Sequence, residues 1–146
     1  MAEMLEGLIE NELGADHRQA QEYSAIIGGN PSRGARSPIL WNATYQALEV
    51  PQLMFPLDVP STNLGEVVNL LREDRAFLGG AVTIPHKVEI IRLLDSLEDE
   101  AKLIGAVNTI YRRGNKLIGA NTDGVGAVNS LKDKFGIDSL RGANIL

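Results

Sequence analysis

Apolar residues recur along this chain in two alternating patterns. Short apolar runs bounded by glycine or proline predict buried strands, whereas apolar positions three and four residues apart predict amphipathic helices. The predicted strands cover residues 23–27, 53–57, 77–84, 107–111 and 116–119. Gly114-Asn115, between the last two, predicts a hairpin. The alternation of strands and helices predicts an α/β fold, a three-layer α/β/α sandwich on a mainly parallel sheet with one antiparallel strand.

Residues that favour helix ends mark the predicted helices. Apolar residues at helical spacing predict a first helix that is closed by Gly14. Ser37, followed by proline, has the form of an N-cap, and another helix is predicted from about Asn63. The last predicted helix can be capped by Asp123 and has Gly136 past its end.

Helical spacing also predicts the apolar positions of these three helices. In chain order they are Leu40, Tyr45, Ala47 and Leu48, then Leu64, Val67, Val68 and Leu71, and finally Val125, Val128, Leu131 and Phe135.

Composition narrows the possible functions. The chain has 146 residues of which 44% are hydrophobic, enough for one globular domain with a buried core. Its formal charge of −5, with both signs interspersed, disfavours nucleic-acid binding and favours a small-molecule partner. The absence of cysteine excludes disulfides and thiolate nucleophiles, and fits a reducing compartment such as the cytoplasm. No apolar run approaches the roughly 18–20 residues of a membrane-spanning helix, so we expect no membrane association.

Polar residues at predicted element ends are the candidates for chemistry. Pro85 ends a strand, so Lys87 is predicted to open a helix, where its charge opposes the helix dipole. A solvated lysine is the alternative, and Asp123 could be only a helix cap. Asn108 and Thr83 could be ordinary hairpin and strand residues. In open α/β folds, however, ligands bind at the carboxyl ends of the strands, where a lysine beside an aspartate can exchange a proton with a hydroxyl.

Four blocks of sequence carry a resemblance to a known family. They are Gly29-Asn30-Pro31 with Ser37-Pro38, Val82-Thr83-Ile84-Pro85-His86-Lys87, Gly105-Ala106-Val107-Asn108-Thr109, and Gly119-Ala120-Asn121-Thr122-Asp123-Gly124-Val125-Gly126. In these blocks the chain resembles the shikimate dehydrogenases, specifically their N-terminal substrate-binding domain. The resemblance implies that Lys87 is the acid/base lysine and Asp123 its partner, that Asn108 and Thr83 contact the substrate, and that Ser37 binds the substrate carboxylate.

The same resemblance implies a function for a larger protein. The implied reaction is the NADP-dependent, reversible reduction of 3-dehydroshikimate to shikimate in the chorismate pathway. Residues 1–22 would be a helical lead-in, 23–141 the substrate-binding domain, and 142–146 the truncated start of the NADP-binding Rossmann domain, without which the chain should be inactive. A quinate or aminoshikimate dehydrogenase is an alternative, and so is a ligand-binding module without chemistry.

Two positions depart from the family pattern. The family usually has Ser-x-Ser-Pro preceded by histidine, whereas this chain has Ala35 in place of the first serine. The family also usually has asparagine where this chain has Ala81. One hypothesis is that Arg33 or Arg36 replaces the lost serine, because a guanidinium binds a carboxylate through two hydrogen bonds. The alternative is that both arginines are solvated loop residues.

Other chemical signals are weak. The glycines between 119 and 126 are not followed by Gly-Lys-Ser/Thr, so they do not form a phosphate loop, and Gly28-Gly29 lacks the spacing of a dinucleotide fingerprint. His17 and His86 do not form a metal-ligand set, and His86 is expected to be a half-exposed loop residue. No metal site is predicted.

Overall fold

The described residues form six strands and six α-helices, which include the five predicted strands. A helix at residues 15–19 and a short strand at residues 96–97 were not predicted. The computed structural model describes residues 2–144, in the case of Ala2, Glu3 and Arg18 by the backbone alone. The strands are β1 (Tyr23–Gly28), β2 (Leu53–Asp58), β3 (Phe77–Val82), β4 (Ser96–Leu97), β5 (Thr109–Arg113) and β6 (Lys116–Ala120). The helices are α1 (Ala2–Glu6), α2 (Ala15–Gln19), α3 (Ser37–Ala47), α4 (Leu64–Glu73), α5 (Asp99–Ile104) and α6 (Asp123–Phe135). Short 3-10 helices span Pro31–Arg33, Ser61–Asn63 and Glu89–Leu93.

All six strands form one sheet in the order β2-β1-β3-β5-β6-β4. The pairings of β1 with β2 and β3, and of β4 with β6, are parallel, whereas β5 runs antiparallel to both β3 and β6. The predicted sheet, mainly parallel with one antiparallel strand, is therefore confirmed. The hairpin predicted at Gly114-Asn115 joins β5 to β6. Pro56, whose missing N–H favours an edge position, lies in the edge strand β2.

Helices cover opposite faces of the sheet. Tyr23 and Ile27 of β1 belong to the core that α4 closes with its predicted apolar face of Val67, Val68 and Leu71. Alternate residues of a strand point to opposite faces, so Ser24 points away from that core. The Ser24 hydroxyl lies 3.1 Å from the Tyr45 hydroxyl of α3. Helix α3 therefore covers the other face, which gives the three layers that were predicted.

The N-terminal segment packs against the edge strand instead of forming the predicted helix up to Gly14. Helix α1 ends at Glu6, and the following residues are irregular. The Leu8 carbonyl accepts a hydrogen bond from the Asn63 side chain, and the Glu10 amide donates to the carbonyl of Asp58. These backbone groups are thus bonded to other parts of the fold and not to a helix. The prediction failed because tertiary contacts outweighed helical spacing, although Leu13 is buried in the core.

Helix starts and faces differ from the sequence predictions in three places. Ser37 is the first residue of α3 and makes no capping hydrogen bond; Arg36 precedes it at the N-cap position. After β3 the chain turns before it forms the 3-10 helix Glu89–Leu93, so Lys87 lies in the turn and does not open an α-helix. The predicted apolar positions Leu40 of α3 and Val125 of α6 are exposed.

Among the residues described, no helix is long and apolar enough to cross a membrane.

Candidate functional site

Sheet topology brings four polar segments to one edge of the sheet. Strands β1, β3 and β6 run in the same direction, so the residues that follow each of them emerge at the same edge, and the antiparallel β5 begins there. Backbone hydrogen bonds tie the segments together. The amide of Gly29 donates to the carbonyl of Ile84, and that of Val82 to the carbonyl of Asn108. This edge is where open α/β sheets bind ligands.

Lys87 and Asp123 are in direct contact at this edge. The Lys87 ammonium nitrogen lies 2.6 Å from an Asp123 carboxylate oxygen, although 36 positions separate the residues. The carbonyl of Lys87 accepts a hydrogen bond from the amide of Val107, which fixes the backbone of the lysine. The lysine side chain is 34% exposed and that of the aspartate 60%, so both functional groups are accessible to a small molecule.

The carboxyl group of Asp123 is held in its ionised form. The hydrogen bond from Lys87 is the largest of the effects that lower the pKa of Asp123 below its usual range, and partial burial opposes them. A hydrogen bond from Asn108 and the charge of the ammonium act in the same direction as the Lys87 bond. Asp123 therefore accepts hydrogen bonds as a carboxylate at neutral pH. It is the first residue of α6 and makes no capping bond, so the predicted cap is wrong.

Asn108 orients the aspartate. The residue is 9% exposed, and its side-chain amide nitrogen donates to Asp123 at 2.8 Å and to the Thr122 hydroxyl at 3.0 Å. Its amide oxygen accepts from the Thr122 amide and from the Thr109 hydroxyl. All four hydrogen-bonding positions of the amide are thus in use. A direct contact between Asn108 and a substrate would require one of these bonds to be exchanged.

The neighbouring Asn121 fixes the start of α6. Its side chain is 6% exposed, its nitrogen donates to the Ala106 carbonyl, and its oxygen accepts from the amide of Asp123 at 3.0 Å. A side chain two residues before Asp123 thus satisfies the amide that a helix start leaves free. The carboxylate of Asp123 remains directed towards Lys87.

Thr83 lines an open hollow of about 540 Å³ beside the lysine turn. Asn30, Pro31 and Ala35 form the opposite part of its wall. The amide of Thr83 donates to the carbonyl of Ile27, which fixes the residue at the end of β1. A Cβ atom on Gly28 would lie 2.3 Å from the Thr83 methyl group, so any larger residue there would require the threonine side chain to move.

The structure does not bring every predicted site residue into this cluster. Ser37 is half-buried at the start of α3, and within residues 2–144 no hydrogen bond or ion pair joins it to Lys87 or Asp123. Arg33 and Arg36 are exposed on the loop before α3, and neither side chain has an ion-pair partner in the described part of the chain. Both are therefore accessible to an anionic ligand.

His86 is a residue that the sequence interpretation misjudged. It is fully buried, not half-exposed, and its Nε2 lies 2.7 Å from the carbonyl oxygen of Val59. The contact joins the turn that carries Lys87 to the end of β2. The position of His86 between proline and lysine gave no signal of this, because the partner is 27 positions away. Over the described range, no three histidine, aspartate or glutamate side chains form a group that could hold a metal ion.

A second cavity lies along the face of the sheet that α3 covers. It has a volume of about 260 Å³ and lies between α3 and the sheet, with Trp41, Tyr45 and Met54 in its wall. Ala81, one of the two departures from the family pattern, faces this cavity. None of the predicted site residues lines it, whereas Thr83, alone among them, lines the hollow of about 540 Å³.

Residues 27–110 match the sequence pattern of the shikimate dehydrogenase substrate binding domain. The match covers more than half of the chain and includes Thr83, Lys87 and Asn108. The chain belongs to this family. Asp123 lies outside the matched range, so its place in the site rests on its contacts with Lys87 and Asn108.

Named relatives of the family agree with this assignment. The NADP(+) shikimate dehydrogenase of Methanococcus vannielii is 42% identical over 108 residues, which are 74% of this chain and 38% of the relative. A crystal structure of a shikimate dehydrogenase in complex with NADP+ superposes with a TM-score of 0.76 at 37% identity, over 80% of this chain and 40% of that one. The crystal structure of the shikimate 5-dehydrogenase of Listeria monocytogenes, in complex with shikimate and NAD, superposes with a TM-score of 0.74 at 31% identity. This match covers 89% of this chain and 43% of that one. The chain thus spans about 40% of the length of these members.

Proposed function

We propose that this chain is the substrate-binding domain of an NADP-dependent shikimate dehydrogenase, which interconverts 3-dehydroshikimate and shikimate. The observation that carries the proposal is the contact of 2.6 Å between Lys87 and Asp123 at the carboxyl edge of a sheet of this family. Residues 23–141 would form the domain, with residues 1–22 as its lead-in and 142–146 as the start of the NADP-binding domain. Of this last segment, Ile145 and Leu146 lie outside the described residues.

The proton step is assigned to Lys87. In the reducing direction, its ammonium group donates a proton to the substrate carbonyl oxygen, which becomes a hydroxyl as the carbonyl carbon is reduced. Asp123 accepts hydrogen bonds from the ammonium and from a neighbouring substrate hydroxyl, and so orients both groups. Asn108 fixes the carboxylate in this position through the bond of 2.8 Å. In the oxidising direction, the neutral amine takes the proton back.

The remaining contacts are assigned by the resemblance of these residues to the family pattern. Thr83 and Asn108 would hold the hydroxylated ring, and Ser37 would bind the carboxylate. NADP supplies the hydride in such enzymes when it is bound. The described residues contain no glycine-rich turn with the spacing that holds a pyrophosphate. By itself, the chain should bind substrate weakly and catalyse no reduction.

An NMR titration of the chain tests the binding site. We expect shikimate, quinate or one of their dehydro forms to shift the amide signals near Lys87, Asn108 and Asp123. Asp123→Asn should weaken these shifts, because it removes the charge that the ammonium faces. The matched control Asp99→Asn should not, because Asp99 is an exposed residue of α5 that pairs with Lys102. If no ligand shifted these signals, the assignment of the site would be wrong.

The two loop arginines provide a separate prediction. If one of them replaces the serine that Ala35 displaces, its replacement by alanine should weaken shikimate binding about tenfold, because a charged hydrogen bond to a carboxylate is lost. Affinities of Arg33→Ala and Arg36→Ala measured by NMR would show which residue binds. Arg75→Ala is the control, because that exposed residue precedes β3 at the opposite edge of the sheet. Unchanged affinity in both loop variants would contradict the compensation.

Two alternatives remain open to test. A quinate or aminoshikimate dehydrogenase would be accommodated by the altered loop, in which Ala35 lines the hollow where the family usually has a serine; the titration compares shikimate and quinate directly. A binding module without chemistry would need affinity but no proton donor, and retention of both Lys87 and Asp123 argues against it.

We further propose that the enzyme is cytoplasmic, with a small-molecule substrate and no nucleic-acid or membrane partner, as the charge of −5 and the absence of cysteine suggest.

A further inference from the structure

A buried carboxylate lies behind the loop that forms one wall of the hollow. Asp58, the last residue of β2, is only 4% exposed. One of its carboxylate oxygens accepts the amide of Ser32 at 2.8 Å, and the other accepts the Ser32 hydroxyl at 2.5 Å. Both oxygens are thus bound to one residue of the loop. The proposed proton chemistry does not use this pair.

The frame that carries Asp58 is itself fixed. The amide of Asp58 donates to the Asn11 side chain at 2.7 Å, and its carbonyl accepts from the amide of Glu10 at 2.8 Å. The next residue, Val59, donates its amide to the Gly28 carbonyl at 2.7 Å. The carboxylate therefore projects from a backbone that is bonded to both the N-terminal segment and the end of β1.

Beyond Gly29, whose amide donates to the carbonyl of Ile84, the loop is shaped by local bonds. Within it, the amides of Gly34 and Ala35 both donate to the carbonyl of Pro31, at 3.4 Å and 3.0 Å. The amide of Arg33 donates to the carbonyl of Asn30 at 3.2 Å. These bonds shape the turn but do not set its position relative to Thr83 across the hollow. The bonds from Ser32 to Asp58 connect the turn to the sheet.

We propose that Asp58 is a positioning residue for substrate binding, which acts through Ser32 to fix the wall of the hollow that includes Ala35. The same bonds fix the backbone from which Arg33 extends, and so set where its guanidinium can meet a substrate carboxylate. This inference rests on the proposed function. It predicts that loss of the pair weakens substrate affinity while the contact between Lys87 and Asp123 is kept.

The test uses the 146-residue chain and two readouts. Amide hydrogen exchange of Arg33, Gly34 and Ala35 in the ligand-free protein reports on the loop, and NMR titration with shikimate reports on affinity. The variants are Asp58→Ala, Asp58→Asn and Ser32→Ala. Because Ser32 is exposed, its variant should fold even if the loss of the buried Asp58 side chain does not permit folding. Ser61→Ala, at an exposed serine just beyond β2, is the matched control.

We expect faster exchange of the three loop amides and about tenfold weaker affinity in Asp58→Ala, with a smaller change of the same kind in Ser32→Ala. Asp58→Asn should show smaller changes than Asp58→Ala in both the exchange rates and the affinity. The reason is that a side-chain amide can still accept one hydrogen bond, from the Ser32 amide, and donate another to the Ser32 hydroxyl. In the ligand-free variants, the NMR signals of the Asn108 and Asp123 amides should stay where they are in the unmodified chain. Ser61→Ala should match the unmodified chain in both exchange rates and affinity.

Two results would overturn the inference. One is unchanged exchange of the loop amides in Ser32→Ala and Asp58→Asn, which would show that the pair does not hold the loop. The other is faster exchange with unchanged affinity, which would leave the pair with a purely structural role. If the unmodified chain bound none of the ligands, the proposed function would fail, and the exchange data would still decide whether Asp58 holds the loop.

Discussion

Lys87→Ala in the proposed full-length enzyme should lower kcat about a thousandfold, with a much smaller change in KM. The ammonium is the proton donor within reach of Asp123, and alanine leaves the carboxylate without its partner at 2.6 Å. Steady-state kinetics in both reaction directions would measure the effect. Lys87→Arg should be nearly as inactive, because a guanidinium keeps its charge but does not release a proton at neutral pH.

The control for this prediction is Lys102→Ala. Lys102 is also a partly exposed lysine in an ion pair, but it belongs to α5 and its partner is Asp99, at 2.8 Å, and not Asp123. Its replacement should leave kcat within about a factor of two, since exposed ion pairs contribute little to stability. An effect of Lys87→Ala on KM alone would show that the lysine binds substrate and does not transfer the proton.

Gly80→Ala should destabilise the fold by more than about 3 kcal/mol, a large part of the stability of a typical domain. A Cβ atom on this residue would lie 1.8 Å from the carbonyl oxygen of Ala25 in the neighbouring strand. Backbone atoms cannot yield as a flexible side chain can, so β1 and β3 would have to separate. Because β3 leads directly to Thr83 and Lys87, the site should be lost together with the sheet.

Urea denaturation followed by circular dichroism would measure this change in the free energy of unfolding. Gly126→Ala is the matched control, because Gly126 lies within α6 and a Cβ atom there would meet nothing within 4 Å. That variant should be unchanged or stabilised by up to about 1 kcal/mol, since alanine favours helix over glycine. If the free energy of unfolding of Gly80→Ala were within about 1 kcal/mol of that of the unmodified chain, the close approach of β1 and β3 would be wrong.

Features with a local signal were predicted correctly from the sequence. The apolar runs predicted β1 and β3, the spacing of Val67, Val68 and Leu71 predicted the buried face of α4, and the glycine at 114 predicted the hairpin. Each of these depends on a period or a turn that a few neighbouring residues determine. Helix ends were less accurate, because Ser37 and Asp123 have the side chains of caps but lie one residue inside their helices.

The failures share a physical cause. Residues 8–13 have helical spacing, but Leu8 and Glu10 use their backbone groups to bond Asn63 and Asp58. His86 is buried because its ring reaches the carbonyl of Val59. Asp58 gave no signal at all, since its partner Ser32 is 26 positions earlier. In each case a contact between distant parts of the chain outweighed the local preference.

By itself, the sequence determined the alternation of strands and helices, the mainly parallel sheet and the resemblance that carries Lys87 and Asp123 as a candidate pair. Only the tertiary structure decided that these two side chains meet, that Asn108 directs its amide to the carboxylate, and that Asp58 accepts hydrogen bonds from Ser32 in the loop beside the hollow. The physical reason is that periodicity and turn residues act over a few positions, whereas the order of strands in a sheet brings together side chains 15 to 36 positions apart.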